Sequence, residues 1–141
     1  MINLLELYYK YKCEYQNYLI FIKSGSFYEL FDNDSLIINS IFYYKVKKIK
    51  DTIKTGFPIN KIDYVTKLIG NINFVILEDG KIVYKKEFKE NKYTTYNFDV
   101  NSVIVNSIKI ERLTKILNEK LLDSNISNII SDIEMIIGKN I

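Results

Sequence analysis

The chain has no histidine, and that absence removes much chemistry. It excludes histidine-dependent triads, Cys–His pairs and nearly every catalytic zinc site. A single cysteine, Cys13, rules out an internal disulfide framework and fits a reducing compartment; its thiol is expected to act as a small buried residue. No G-x-x-x-x-G-K-[ST] string occurs, so no P-loop is expected and any activity should be ATP-independent. No apolar run approaches ~20 residues, which argues against a transmembrane helix. The N-terminal "MINLLELYYKYK" lacks an early basic region and a small-residue cleavage site, so no signal peptide is expected either. The location expected is cytoplasmic, at the nucleoid if the chain binds DNA, with no membrane partner. Alanine is missing, and arginine and proline occur once each, at Arg112 and Pro58.

What is present is a chain of 141 residues, enough for one domain with a real core and too short for two full ones. Ile, Lys, Asn and Tyr are heavily used, and all four have AT-rich codons. The bias reads as genomic rather than functional, and it discounts simple lysine counts. A net charge of +3 is mild and does not by itself indicate nucleic acid.

Periodicity gives a mixed order of elements. Leu4, Leu5, Tyr8, Tyr11, Tyr15 and Tyr18 predict a helix over 3–17 with Asn3 as its N-cap. "YLIFIK" (18–23) reads as a buried strand broken at Gly25. "FYELF" (27–31) continues extended, with Phe27, Glu29 and Phe31 on one face. "DNDS" is expected to cap a short helix over 36–42, and "YYKVKKIK" (43–50) to form a strand with one wet face. "TGFPI" suits a sheet edge or strand end, and Asn60 with Asp63 resembles a capping box for a helix over 61–69 closed by Gly70. "NFVILE" (73–78), an Asp79-Gly80 turn and "KIVYKKEF" predict a hairpin, and "YTTYNF" (93–98) a further strand. Beyond Val105 two amphipathic helices follow, one through Ile108, Leu113, Ile116, Leu117 and Leu121, the other through Ile129–Ile137. The fold class expected is α/β (α+β): a mixed β-sheet flanked by helices over 1–98, then a helical C-terminal extension over 99–141.

One stretch is more specific. "FIKSGSFYELFDNDS" (21–35) joins a buried-type strand to a glycine turn, an aromatic residue, and a carboxylate two positions later. It resembles the mismatch-recognition segment in the N-terminal domain of MutS, the DNA mismatch-repair protein. That family segment reads roughly as hydrophobic strand, basic residue, x, then Gly-Asp-Phe-Tyr-Glu-Leu-Phe and acidic residues opening a helix. The sequence departs from it at Ser26, where the family usually has aspartate. Downstream, "TGFP" stands where the family has a Gly-x-Pro segment, followed by a helix and by the strand "NFVILED". The resemblance covers about residues 4–80, and its one specific motif is Gly-x-Phe-Tyr-Glu-Leu-Phe.

The resemblance implies a role for each residue. Mismatched or unpaired bases stack poorly, so a duplex kinks there at lower cost. An aromatic wedge entering the minor groove can stack on the loosened base, and a nearby carboxylate can hydrogen-bond it. Phe27 would be the wedge and Glu29 the base contact. On pattern alone Phe27 and Phe31 equally suit the core of an amphipathic strand, with Glu29 at a wet edge. Phosphate contacts would come from Lys45, Lys47, Lys48, Lys50 and Lys54, opposed only by Asp51 within 45–54, with Thr55 and Lys23 beside them. The same lysines also suit a solvated strand face. A second set, Lys81 to Lys92, is diluted by Glu87 and Glu90.

No catalysis and no cofactor or metal are expected. Asp79-x-Lys81 has nuclease-like spacing but is first of all a hairpin turn, and "DNDS" lacks the glycine and terminal glutamate of a calcium loop. The ATPase, lever and clamp regions of MutS have no counterpart in these residues. The function expected is a non-catalytic module for mismatched, unpaired or distorted duplex DNA. The alternative is a protein-interaction or regulatory module that keeps the fold and no longer reads DNA. Residues 107–138 would supply a surface for self-association or for full-length MutS.

Overall fold

The computed structural model describes residues 3–138. The first helix, α1 (Leu4–Lys12), starts where Asn3 accepts a hydrogen bond from the Leu5 N–H at 2.8 Å, as its residue type predicts. It stops well short of residue 17. Lys12 turns its ammonium forward to the Tyr18 carbonyl (2.7 Å) and the Asp34 carboxylate (2.8 Å). In a continued helix Tyr18 would lie about 9 Å further along the axis, at ~1.5 Å per residue, so the chain must fold back. Cys13, expected inside, is exposed at the helix end. Helical spacing puts it on the side away from Leu7 and Tyr8, which face the sheet.

Six strands follow: β1 (Leu19–Ser24), β2 (Phe27–Phe31), β3 (Lys47–Ile49), β4 (Thr52–Pro58), β5 (Phe74–Glu78) and β6 (Lys81–Lys86). They form one mixed sheet in the order β3-β4-β2-β1-β5-β6, in which β1 and β5 run parallel and the other neighbours antiparallel. Leu19 and Phe21 of β1 join Tyr28, Leu30 and Phe57 against α2 (Asp32–Phe42) and α3 (Ile62–Leu68). Ile20 and Ile22 point the other way and pack with Phe31, Val75 and Leu77 under α1. A strand buried on both faces has no polar alternation, which is why "LIFI" reads as an unbroken apolar run. This confirms the mixed sheet flanked by helices, with helices at the C-terminal end.

Several boundaries differ from expectation. "DNDS" is not a cap but the first turn of α2: the helix starts at Asp32, the Ser35 hydroxyl donates to the Asp32 carbonyl at 2.6 Å, and Asp34 is buried. Only Lys47–Ile49 of "YYKVKKIK" is paired. Tyr43 ends α2 in the left-handed region (φ 61), and the Tyr44 ring stacks on Phe42 and Phe57. Strand β4 lies inside the sheet rather than at its edge, with Pro58 as its last residue, where a missing N–H does least harm. No side-chain cap opens α3, which is entered through a 3-10 turn at Ile59–Lys61. Gly70 (φ +77) closes it as expected. Asp79 (φ 51) and Gly80 (φ 75) form the two-residue turn with both central residues left-handed.

The predicted strand at 93–98 does not form. Tyr93–Thr95 make a 3-10 turn that drives the Tyr93 ring into the core. The Asn91 side chain holds this crossing, accepting from the N–H groups of Asn73 and Tyr93 and donating to the Asn17 carbonyl. Helices α4 (Val100–Glu119) and α5 (Ile126–Gly138) follow. The chain divides into two compact units, with the boundary between Ile104 and Val105.

Candidate nucleic-acid interface

The β1–β2 hairpin builds the motif. Ser24 pairs with Phe27, leaving Gly25 and Ser26 as a two-residue turn. Gly25 has φ +61, and the first central position of such a turn is the one that favours glycine. The chain then enters β2 with Phe27 at its open end. The Phe27 ring is 48% exposed, whereas Tyr28, Leu30 and Phe31 are buried. Alternation places Phe27, Glu29 and Phe31 on one face, the face α1 partly covers through Phe31.

The neighbour on that face is β4. Phe27 is opposite Pro58, Glu29 opposite Gly56 and Phe31 opposite Lys54. A Cβ on Gly56 would lie 3.0 Å from the Tyr28 carbonyl oxygen and 3.7 Å from the Glu29 Cγ. Glycine therefore lets the two strands and the glutamate sit close. Lys54 closes the group: its Nζ donates to Glu29 Oε1 at 2.8 Å, with both side chains mostly sheltered. An exposed ring, a proline, a glycine floor and a carboxylate–ammonium pair thus line one face of β2 and β4, from Phe27 at the open end to Lys54 opposite Phe31.

The other expected contacts divide around it. Lys47 is directly opposite Lys54 in the register, so it shares this face. Two like charges in that position repel, and the Glu29 carboxylate on Lys54 already offsets part of that repulsion. Lys50 (φ 45) sits at the tip of the β3–β4 turn, and its carbonyl accepts from Lys48 Nζ at 3.1 Å. Lys45 is exposed in the loop before β3. Lys48 points to the opposite face, as does Lys23, which pairs with Tyr28 and holds Glu78 at 3.7 Å. Thr55 is buried on that opposite face, its hydroxyl donating to the Lys45 carbonyl at 2.8 Å, so it positions the lysine loop rather than meeting solvent. The structure puts Phe27, Glu29, Lys54 and Lys47 on one face of the sheet and Lys23, Lys48 and Thr55 on the other. Asp79 is taken up by its turn, and among the described residues no three His, Cys, Asp or Glu residues are grouped to hold a metal.

The comparisons bear directly on this arrangement. A family model described as MutS domain I matches residues 3–111, more than half of the chain. The chain belongs to the MutS domain I family. The match runs from α1 through the whole sheet and into α4, further than the 4–80 stretch that carried the resemblance. No curated protein sequence matches the chain closely enough to count as a relative. In MutS, domain I is the mismatch-recognition domain, a DNA-recognition domain that is not itself catalytic.

What sequence reasoning missed in this MutS domain I is the pin that sets the motif's direction. Asp34, fully buried, accepts from Lys12 Nζ (2.8 Å), the Tyr93 hydroxyl (2.6 Å) and the Ile20 N–H (3.0 Å). Burial pushes its carboxyl above the ordinary aspartate value, and Lys12, Tyr93 and the Ile20 N–H pull it back. Burial likewise raises the Tyr93 hydroxyl, with the Asp34 charge adding to it. The group ties α1, β1, α2 and the 91–95 crossing together just beyond the end of β2. The one available signal was the position of "DND" directly after a buried strand, where a carboxylate can reach the backbone of the strand paired with it, here Ile20 of β1.

Proposed function

We propose that this MutS domain I binds duplex DNA at mismatched, unpaired or bent sites, with Phe27 as an inserted wedge and Glu29 as the base contact. The observation carrying the reading is the Phe27 ring, half exposed at the mouth of an otherwise buried strand and on the same face as Glu29. A ring packed into its own sheet could not enter a base step. A carboxylate oxygen of Glu29 can accept the ring N–H of guanine or thymine. Lys54 offsets the repulsion such a carboxylate meets near phosphates, and Lys47, Lys45 and Lys50 supply backbone contacts. The reading is non-catalytic and independent of ATP, and places the protein with the nucleoid.

The test is fluorescence anisotropy at one low salt concentration, comparing a G·T or single-base-bulge duplex with its matched homoduplex. Stacking of one base on an aromatic contributes about 1–3 kcal/mol, so Phe27→Ala should weaken defect binding roughly ten- to a hundredfold. Matched DNA should be almost unaffected. Equal binding to both duplexes, unchanged by the substitution, would leave only a basic surface. No binding at all would favour the second reading, an interaction module serving full-length MutS, which the uncovered apolar residues of α4 and α5 support.

A further inference from the structure

The helical unit beyond Val105 carries more apolar surface than two helices can hide. Along α5, Ile126, Ile129, Ile130, Ile133 and Ile137 follow the i, i+3, i+4, i+7, i+11 spacing of a single stripe. Ile126 is buried, yet Ile129, Ile130, Ile133 and Ile137 are 39–56% exposed. Across the 120–125 connection, Leu113 and Ile116 of α4 are 55% and 43% exposed. Monomers rarely leave a continuous patch beyond a few hundred Å2. With their exposed neighbours these residues offer apolar area of the order of the ~800 Å2 per partner that a standard interface needs.

Charge indicates what covers it. Helix α4 carries Lys109, Arg112 and Lys115 against Glu111 and Glu119, and Lys109 and Arg112 sit one turn before Leu113 and Ile116. Within α5 the charged residues are Asp132 and Glu134, with no cation in the helix. One helix is thus net positive and the other net negative, though α4 carries both signs. A twofold axis presents the same patch from both copies, so α4 of one chain can meet α5 of the other twice over.

We propose that residues 105–138 pair with the same residues of a second copy, α4 against α5, closing a four-helix unit that buries both stripes. The pairing stands on the helices alone. Its consequence rests on the DNA reading above: two linked recognition domains would gain affinity through a raised effective concentration of the second on the same duplex.

The experiment is sedimentation velocity on the full chain without DNA, over about a hundredfold range of concentration. A dimer is expected for the wild type, and a monomer for Ile133→Asp with an unchanged circular dichroism spectrum. A charge-swap pair guards against a misfolded variant. One chain carries Asp132→Lys and Glu134→Lys, the other Lys109→Glu and Arg112→Glu. Each alone should dimerise poorly and the mixture should restore a heterodimer. A monomeric wild type overturns the proposal, whether the stripe is covered within its own chain or reserved for another protein. So does a mixture no more associated than its parts. Failure of DNA binding would leave all of these outcomes unaffected.

Discussion

Removing the Asp34 carboxylate should unfold the recognition domain well below its normal melting temperature. The side chain is fully buried and takes three hydrogen bonds, from Lys12 Nζ, the Tyr93 hydroxyl and the Ile20 N–H. In Asp34→Ala the Lys12 ammonium keeps the Tyr18 carbonyl at 2.7 Å and the Tyr93 oxygen at 2.9 Å, both neutral. The Ile20 N–H loses its acceptor. It lies past the last rung of the β1–β2 ladder, which runs from Ile22–Glu29 to Ser24–Phe27, so β2 cannot replace the bond. Stranding one member of a buried pair costs about 3–5 kcal/mol. Lys12 retains 18% exposure, so water recovers part of its solvation and the lower end applies, ~3 kcal/mol.

At ~4–8 °C per kcal/mol for a domain of about this size, the melting temperature should fall by about 10–25 °C, read by circular dichroism with a urea titration for the free energy. The double variant Lys12→Met with Asp34→Leu removes both charges and restores apolar volume, so it should be more stable than Asp34→Ala. A loss below ~1 kcal/mol in Asp34→Ala, or a double variant that simply adds the two single losses, would show that the pin is not coupled as the distances imply.

The same residue explains how far the sequence could be read. Sheet and helix order followed from periodicity because Leu19 to Ile22, Phe74 to Leu77 and the Asp79-Gly80 turn each obey a local rule. The shared face of Phe27 and Glu29 was legible because Gly25 fixes a hairpin and strand alternation fixes the face. The failures share one cause. Lys12, Asp34 and Tyr93 are far apart in sequence and meet only in three dimensions, and their contacts override local preference at each place. They end α1 early, turn "DNDS" from a cap into a helical turn, and replace a β-prone "YTTY" with a buried crossing. The faces of the lysines were not legible for a simpler reason. A run of lysines shows charge but not which face of the sheet each one takes, and that depends on where β3 begins.

Three further outcomes check the patch and the core. Gly56→Ala should destabilise by about 1–3 kcal/mol, because the new methyl meets the Tyr28 carbonyl at 3.0 Å and backbone cannot move aside cheaply. A variant as stable as the wild type in urea would show that the strands have room to part. Lys47→Met should weaken matched and mismatched DNA alike and lower the slope of log affinity against log salt by about 1, the signature of one lost phosphate contact. An unchanged slope would show that Lys47 does not meet the DNA backbone. Alkaline pH should unfold the domain through its tyrosines. Burial raises the Tyr8 and Tyr93 hydroxyls above the ordinary 10.0, with Asp34 adding to both. A raised folded value means that stability is complete below pH 10.0 and falls as the pH rises past it, since the unfolded chain then releases protons that the fold retains. Phenolate absorbance should therefore show exposed rings titrating first, with the buried rings appearing together with loss of circular dichroism. Ionisation of all tyrosines in a single smooth step, with the fold intact, would mean that Tyr8 and Tyr93 are not sealed in the core.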